Sequence, residues 1–290
     1  MIIKASTVVP ALNQCFLGCL ASIAEGAGHL ILNIYSYQNI IKSSLKNDGS
    51  PLSEADMISN DFILSELKLN FPDIPVLTED RSWMAGESNY YFAVDLLDGT
   101  KEFISRNGEF TVNIALVVNG FPIIGIVHAP ALGFTWAGVN QGETYSLRRS
   151  QTSHGYGEWV AISDNPSEPK TTIEPFKQKI RVTLSRSHLS SDTAIWLKSL
   201  KKPYETLPKG SSLKFCLLAD GEADLYPRIR QTKVWDTAAG HAVLVGAGGK
   251  VLLQDLTLPL KYLSVLDPLN KSFVAIRHGL RVQDLYEPSA

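Results

Sequence analysis

Three short acidic stretches carry the chemistry of this sequence. In Asp95-Leu96-Leu97-Asp98-Gly99-Thr100, two carboxylates three residues apart follow an apolar run, and the glycine permits a tight turn that would bring both to one point. Thr78-Glu79-Asp80 closes an earlier apolar run, and Trp235-Asp236-Thr237-Ala238-Ala239-Gly240 sets an aspartate at the head of a small-residue segment. Such oxygen clusters are what hard divalent cations bind. Each stretch alone also has a plain structural reading: Asp98 capping the element after the turn, Glu79 at the surface, Asp236 capping a helix. DGT occurs too in phosphatases that use an aspartate nucleophile within D-x-D-G-T near the chain start. Here the spacing is D-x-x-D, deep in the chain, so those nucleophile and acid–base roles do not map; metal coordination by both carboxylates fits better.

The elements around these stretches suggest how they could meet. Apolar residues from Leu12 to Ile34 recur at three- and four-residue steps, which predicts a long amphipathic helix after Pro10, with Cys15 and Cys19 as packing residues. A polar connector around Ser43–Glu54 leads to a second helix, Glu54–Leu69. Ile74–Leu77 and Tyr90–Val94 are short β-forming runs that each end on acidic residues, where carboxylates can converge. Thr111–Val118 and Pro122–His128 flank Asn119-Gly120, the dipeptide of a two-residue hairpin, and Phe134–Gly138 pairs with Glu143–Leu147. This part reads as α+β, with helices on one face of an antiparallel sheet. The polar segment Gln151–Lys179 marks a boundary, dividing the chain into 1–178 and 179–290.

Beyond it the pattern alternates as a smaller α/β part: strands Ile180–Leu184, Ala223–Tyr226, Lys250–Leu253 and Ser272–Ile276, and helices Ser190–Leu200, Ser211–Ala219 and Asp236–Val245. Gly210-Ser211-Ser212-Leu213-Lys214 has the form of a helix N-terminus, whose backbone N–H groups and Lys214 would suit an anion. His128 and His241 read as packing residues.

With 44% hydrophobic and 19% charged residues over 290 positions, the composition is that of a soluble globular chain with a large core. A formal net charge of −2 gives no basic surface for a nucleic-acid polymer or an anionic membrane. An anionic substrate would then need local help, such as metal ions. Three cysteines are too few for a disulfide framework and read as reduced, cytosolic thiols. The apolar segment Val8–Tyr37 is broken by Asn13, Gln14, Glu25, His29 and Asn33, and no transmembrane segment is expected there.

VLTED, VDLLDGTKEF and WDTAAG, in this order and at these separations, closely resemble the inositol-monophosphatase-like family of metal-dependent, lithium-sensitive phosphatases. DGTKEFISRNGEFTVNIALV, SRSH, GSSLKFCLLADGEADLYPR and WDTAAGHAV are similar to its bacterial 3′(2′),5′-bisphosphate nucleotidase branch, over roughly Ser50 to His278. The resemblance implies a layered αβαβα sugar-phosphatase-type fold. It implies that Glu79, Asp95, the Leu97 carbonyl, Asp98 and Asp236 hold magnesium, two or three ions per active site. Asp56 and Thr100 would polarise the attacking water, with Glu79 beside them. Substrate would lie against Gly99, Thr100, Lys101 and Asp236 on one side, and Ser211, Lys214, His188 and Arg228 on the other. Lys101 and Glu102 separate this branch from the inositol phosphatases. One departure is Leu96, where the family usually carries Pro, which gives up a ring that stiffens the turn.

The implied reaction is hydrolysis of adenosine 3′,5′-bisphosphate to AMP and phosphate, and of its sulfated form likewise. The implied setting is cytoplasmic sulfur metabolism, with peripheral attachment to the inner membrane left open. Two other readings stand beside it: an inositol or sugar phosphatase with the same chemistry, and a nucleotide-binding sensor without turnover.

Overall fold

The computed structural model describes residues 14–36, 43–45, 51–79, 82–83, 88–141, 143–162, 179–186, 190–262, 267–281 and 285. The first half contains α1 (Gln14–Ser36), β1 (Ser43–Leu45), β2 (Pro51–Ser53), α2 (Glu54–Asn70), β3 (Val76–Thr78), β4 (Ser82–Trp83), β5 (Tyr90–Asp98) and α3 (Thr100–Ile104). It continues with β6 (Thr111–Val118), β7 (Phe121–Ala129), β8 (Phe134–Gln141), β9 (Glu143–Thr152), β10 (Gly155–Tyr156) and β11 (Val160–Ile162). The second half runs β12 (Ile180–Ser185), α4 (Ser191–Leu197), β13 (Tyr204–Lys209), α5 (Leu213–Ala219), β14 (Leu225–Arg228), α6 (Ala238–Gly246), β15 (Lys250–Leu253) and β16 (Phe273–Ile276).

These elements form five layers. On α1, the stripe Leu20, Ala21, Ala24, Ala27 and Ile31 is fully buried, and it packs with α2 against one face of a nine-stranded sheet. By length and composition α1 could cross a membrane, but its apolar stripe is spent on this core. Along β5, Phe92 and Val94 face that layer, while Tyr91 and Ala93 face the opposite side, against α5 and α6. Both faces of the sheet are therefore covered, not the one expected, and the strands show apolar runs instead of a polar–apolar alternation. Beyond α5 and α6 lies a five-stranded sheet in the order β13-β12-β14-β16-β15, and α4 closes its outer face through Trp196 and Leu197. This is the αβαβα arrangement. One core joins Leu77, Tyr91 and Ala115 to Phe215, Val243 and Phe273, from both sides of residue 178.

Several expectations need correcting. The stretch Ser43–Glu54 is not a plain connector, because β1 and β2 pair in it as an antiparallel hairpin. The polar segment from Gln151 still carries the end of β9, β10 and β11. Cys15 is exposed, so it is not a packing residue, whereas Cys19 is half-buried and Cys216 buried; all three are free thiols. The start of the first helix before Gln14 lies outside the described residues. Asn119 and Gly120 take φ values of 52° and 81° and close the β6–β7 hairpin with two residues, as their types require.

One close approach matters for the site. Gly125 and Gly138 are cross-strand neighbours on β7 and β8. A Cβ at either would sit 2.3 Å from the Ala239 carbonyl oxygen or 2.4 Å from that of Ala242. The two glycines let α6 lie directly on the sheet backbone, a seating that suits the small residues dominating that helix.

Candidate active site

The acidic residues gather where parallel strands end. β3 and β5 run parallel with Thr78 opposite Val94, so Glu79 leaves its strand beside Asp95. DLLDGT is not the tight turn expected: β5 continues through Asp98, and the pairing slips between Asp95–Asn113 and Asp98–Thr111. In a regular strand, residues three apart point to opposite faces. The extra residue of this bulge removes that parity, so the local twist, not a turn, re-aims the carboxylates. Asp95 is buried, and its Oδ1 accepts the Leu97 N–H at 3.1 Å, an Asx-type contact that tightens the bulge. Leu96 and Leu97 are 3% exposed in the core, and Ser59 Oγ on α2 donates to the Leu96 carbonyl at 3.1 Å. Packing and this bond thus stiffen the stretch around Leu96. Gly99, at φ 91°, starts α3.

Asp98 is held from the other half of the chain. Its Oδ2 accepts from Ser211 Oγ (2.6 Å), the Ser212 N–H (2.7 Å) and Asn113 Nδ2 (3.2 Å). All three bonds fall on one oxygen, so among the described residues Oδ1 has no hydrogen-bond donor. Ser212 Oγ in turn donates to the Asp236 carbonyl at 2.8 Å, so one serine ties Asp98 to Asp236. The Asp236 carboxylate does not cap α6: Thr237 is the N-cap, and Asp236 Oδ2 accepts the Lys233 N–H at 3.0 Å.

At Asp236 negative charge outweighs positive, with Arg228 only partly offsetting the carboxylates. Burial, then the neighbouring carboxylates Asp98 and Glu79, push the Asp236 carboxyl up to about 7, against 3.8 ordinarily. Among the described residues no three acidic, His or Cys side chains close tightly enough to grip an ion unaided. The set nevertheless suits a hard cation that also takes a backbone oxygen and substrate oxygens, since every donor is oxygen and the carboxylates repel one another. The Leu97 carbonyl, the backbone member, presently accepts Thr100 Oγ1 at 3.3 Å.

Facing this group are the carboxyl ends of three parallel strands, β12, β13 and β14, the edge at which open α/β sheets take ligands. Arg228 ends β14 beside a cleft lined by Leu184, Ser185, Ser190, Thr193 and Tyr226, and its buried Nε has no hydrogen-bond partner among the described residues. Lys214 is 5% exposed on α5; its ammonium donates to the carbonyls of Ser211 and Lys209, the latter at 3.3 Å, over the Tyr226 ring. Burial lowers it to about 8, with the Asp98 charge opposing. The anion met by the Ser211–Ser212 turn is Asp98 itself. Lys101 is exposed and Glu102 buried. Asp56 lies in the first turn of α2, with its side chain outside the described residues, as are Asp80 and His188. His128 and His241 are buried and held down to about 3 by desolvation, as packing residues would be.

One contributor was not expected, Asn113, and Ser212, expected to meet an anion through its backbone, also bridges Asp98 to the Asp236 carbonyl. Asn113 had a visible signal, as the one amide in the largely apolar Thr111–Val118 run.

Residues 12–279 match the inositol monophosphatase family model. The chain is 39% identical over 235 residues to the 3′(2′),5′-bisphosphate nucleotidase CysQ of Salmonella typhimurium, covering 80% of this chain and 88% of that protein. It is 38% identical, with the same coverage, to CysQ of Escherichia coli K12. Among solved structures, CysQ from Bacteroides thetaiotaomicron superimposes with a TM-score of 0.74 at 34% identity, covering 93% of this chain and 100% of that one. The inositol monophosphatase from Anabaena shares the fold, with a TM-score of 0.66 at 22% identity. The bulged DLLDGT strand and the serine-held Asp98 carboxylate thus stand in a chain that belongs to the inositol monophosphatase family.

Proposed function

We infer that this chain is a metal-dependent 3′(2′),5′-bisphosphate nucleotidase that converts adenosine 3′,5′-bisphosphate to AMP and phosphate. The observation that carries this reading is the joining of Asp98 to Asp236 through Ser212, opposite strand ends that present Arg228. That arrangement sets an electron-rich oxygen cluster against a cationic cleft, as a substrate with a scissile and a spectator phosphate needs.

Glu79, Asp95, the Leu97 carbonyl, Asp98 and Asp236 would hold magnesium, two or three ions, which when bound offsets phosphoryl charge and acidifies water. Thr100 takes the proton of the attacking water and passes its own towards Asp56. Its present bond to Leu97, at 3.3 Å, is long and gives way at little cost. Water oxygen bonds to phosphorus, the ester bond to the 3′-oxygen breaks, and that oxygen takes a proton from solvent while the attacking water's proton goes towards Asp56. Gly99 and Lys101 border the scissile phosphate, while Ser211, Lys214, His188 and Arg228 orient the nucleotide. Residues 1–178 supply most metal ligands, and 179–290 supply Asp236 and the nucleotide side. Free thiols at Cys15, Cys19 and Cys216 suit a reducing cytoplasm, where removal of this by-product of sulfate reduction would support sulfur assimilation.

A substrate panel with and without magnesium tests this reading. Adenosine 3′,5′-bisphosphate should be the preferred substrate, with release lost in chelator and in Asp98→Asn. Preference for inositol monophosphate would make the chain an inositol phosphatase, and nucleotide binding without release would make it a sensor.

A further inference from the structure

Outside the donor set, one buried carboxylate grips both halves of the chain at the edge of the site. Glu109, 7% exposed in the loop after α3, accepts from Arg186 Nε and the Gly210 N–H through Oε2, each at 2.8 Å. Its Oε1 accepts Arg186 Nη2 at 2.8 Å and pairs with Lys209 Nζ at 3.3 Å. Arg186 also donates to the Pro208 carbonyl at 3.0 Å, so both ends of the β13 exit are tied to this one side chain. Gly210 lies directly on it: a Cβ there would sit 2.7 Å from the Glu109 carbonyl oxygen and 2.9 Å from its Cβ. The next two residues are the donors on Asp98 Oδ2, and Ser211 makes its bond from φ 54°, a left-handed conformation that a serine keeps only when its surroundings hold it.

We propose that Glu109 is a positioning residue of the phosphatase site: by fixing Gly210, Lys209 and Arg186 it sets the Ser211–Ser212 turn, which orients Asp98 for magnesium. This rests on the reading under Proposed function. An isosteric amide would offer one acceptor oxygen to four donors and turn an NH2 group towards two of them. Glu109→Gln should therefore loosen the turn without leaving a hole.

The test compares Glu109→Gln with Asp224→Asn in the full-length protein. Asp224 is another buried carboxylate held by two arginines, Arg181 at 2.8 Å and Arg277, at the opposite ends of β12 and β14. Magnesium affinity is measured by calorimetry and by the magnesium-dependent rise in Tm, and kcat by phosphate release. Glu109→Gln is expected to unfold cooperatively, to bind magnesium about 10-fold or more weakly and to lose kcat in step, the range found when support to a metal ligand is removed. Asp224→Asn should lower Tm and leave magnesium affinity at the wild-type value. Arg186→Lys, which keeps the Gly210 bond but loses the two-pronged grip, should shift affinity the same way by less. Wild-type magnesium affinity in Glu109→Gln, or an equal loss in Asp224→Asn, overturns the proposal. A wild-type protein that binds magnesium without hydrolysing the nucleotide sinks the functional reading instead, and the calorimetric comparison still decides Glu109.

Discussion

Replacing Asp236 by Asn should stabilise the metal-free protein while destroying its activity. The folded chain keeps the Asp236 proton up to about pH 7, whereas the unfolded chain releases it near 3.8. Across that window the fold binds more protons than the unfolded chain, so metal-free stability falls as the pH rises through it. The gap corresponds to about 4 kcal/mol at pH 8, and because Asp236 is only partly buried, solvent screening brings this to roughly 2 kcal/mol. Asn keeps an acceptor for the Lys233 N–H and drops the charge that Asp98 and Glu79 repel. In chelator at pH 8 the variant should melt roughly 4 °C above wild type, given about 2 °C per kcal/mol for a chain of this size. At pH 4 the two curves should nearly coincide. Saturating magnesium should raise the wild-type Tm and leave the variant where it was, with phosphate release down by about 100-fold or more. A variant less stable than wild type in chelator at pH 8 would refute the repulsion, and a full magnesium response in the variant would remove Asp236 from the donor set.

The remaining predictions concern the residues that carry the site. Gly138→Ala places a Cβ 2.4 Å from the Ala242 carbonyl oxygen, so α6 must shift; a loss of about 1–3 kcal/mol and a weaker magnesium response are expected in thermal melts, and an unchanged Tm would contradict the close seating. Glu25→Ala strands Arg149, whose Nε pairs with that buried carboxylate at 2.8 Å, and should cost about 3 kcal/mol in denaturant titration. Because this pair ties α1 to β9 and touches none of the donor residues, kcat should hold; a parallel fall in kcat would couple the two regions. Gly99→Ala forces a side chain onto φ 91°, with its Cβ 3.1 Å from the Glu109 carbonyl oxygen, and should lower kcat more than it raises KM.

What sequence could convey about this protein divides by the range of the interaction that matters. The Asn119-Gly120 hairpin and the apolar strands were legible because turn chemistry and burial act on the residues themselves. β13 was missed because Tyr204–Lys209 is a largely exposed edge strand, held by its parallel register with Ile180–Ser185 and carrying no apolar run to announce it. The donor types were readable as carboxylates at strand ends, but the form of DLLDGT was not. A bulge is defined against its partner, and the partner residues Asn113 and Thr111 lie on another strand. The same holds for Asp98: which of its oxygens is taken is decided by Ser211 and Ser212, more than a hundred positions away. Local chemistry names the atoms able to bind a cation, and long-range hydrogen bonds decide which of those atoms stay open to it.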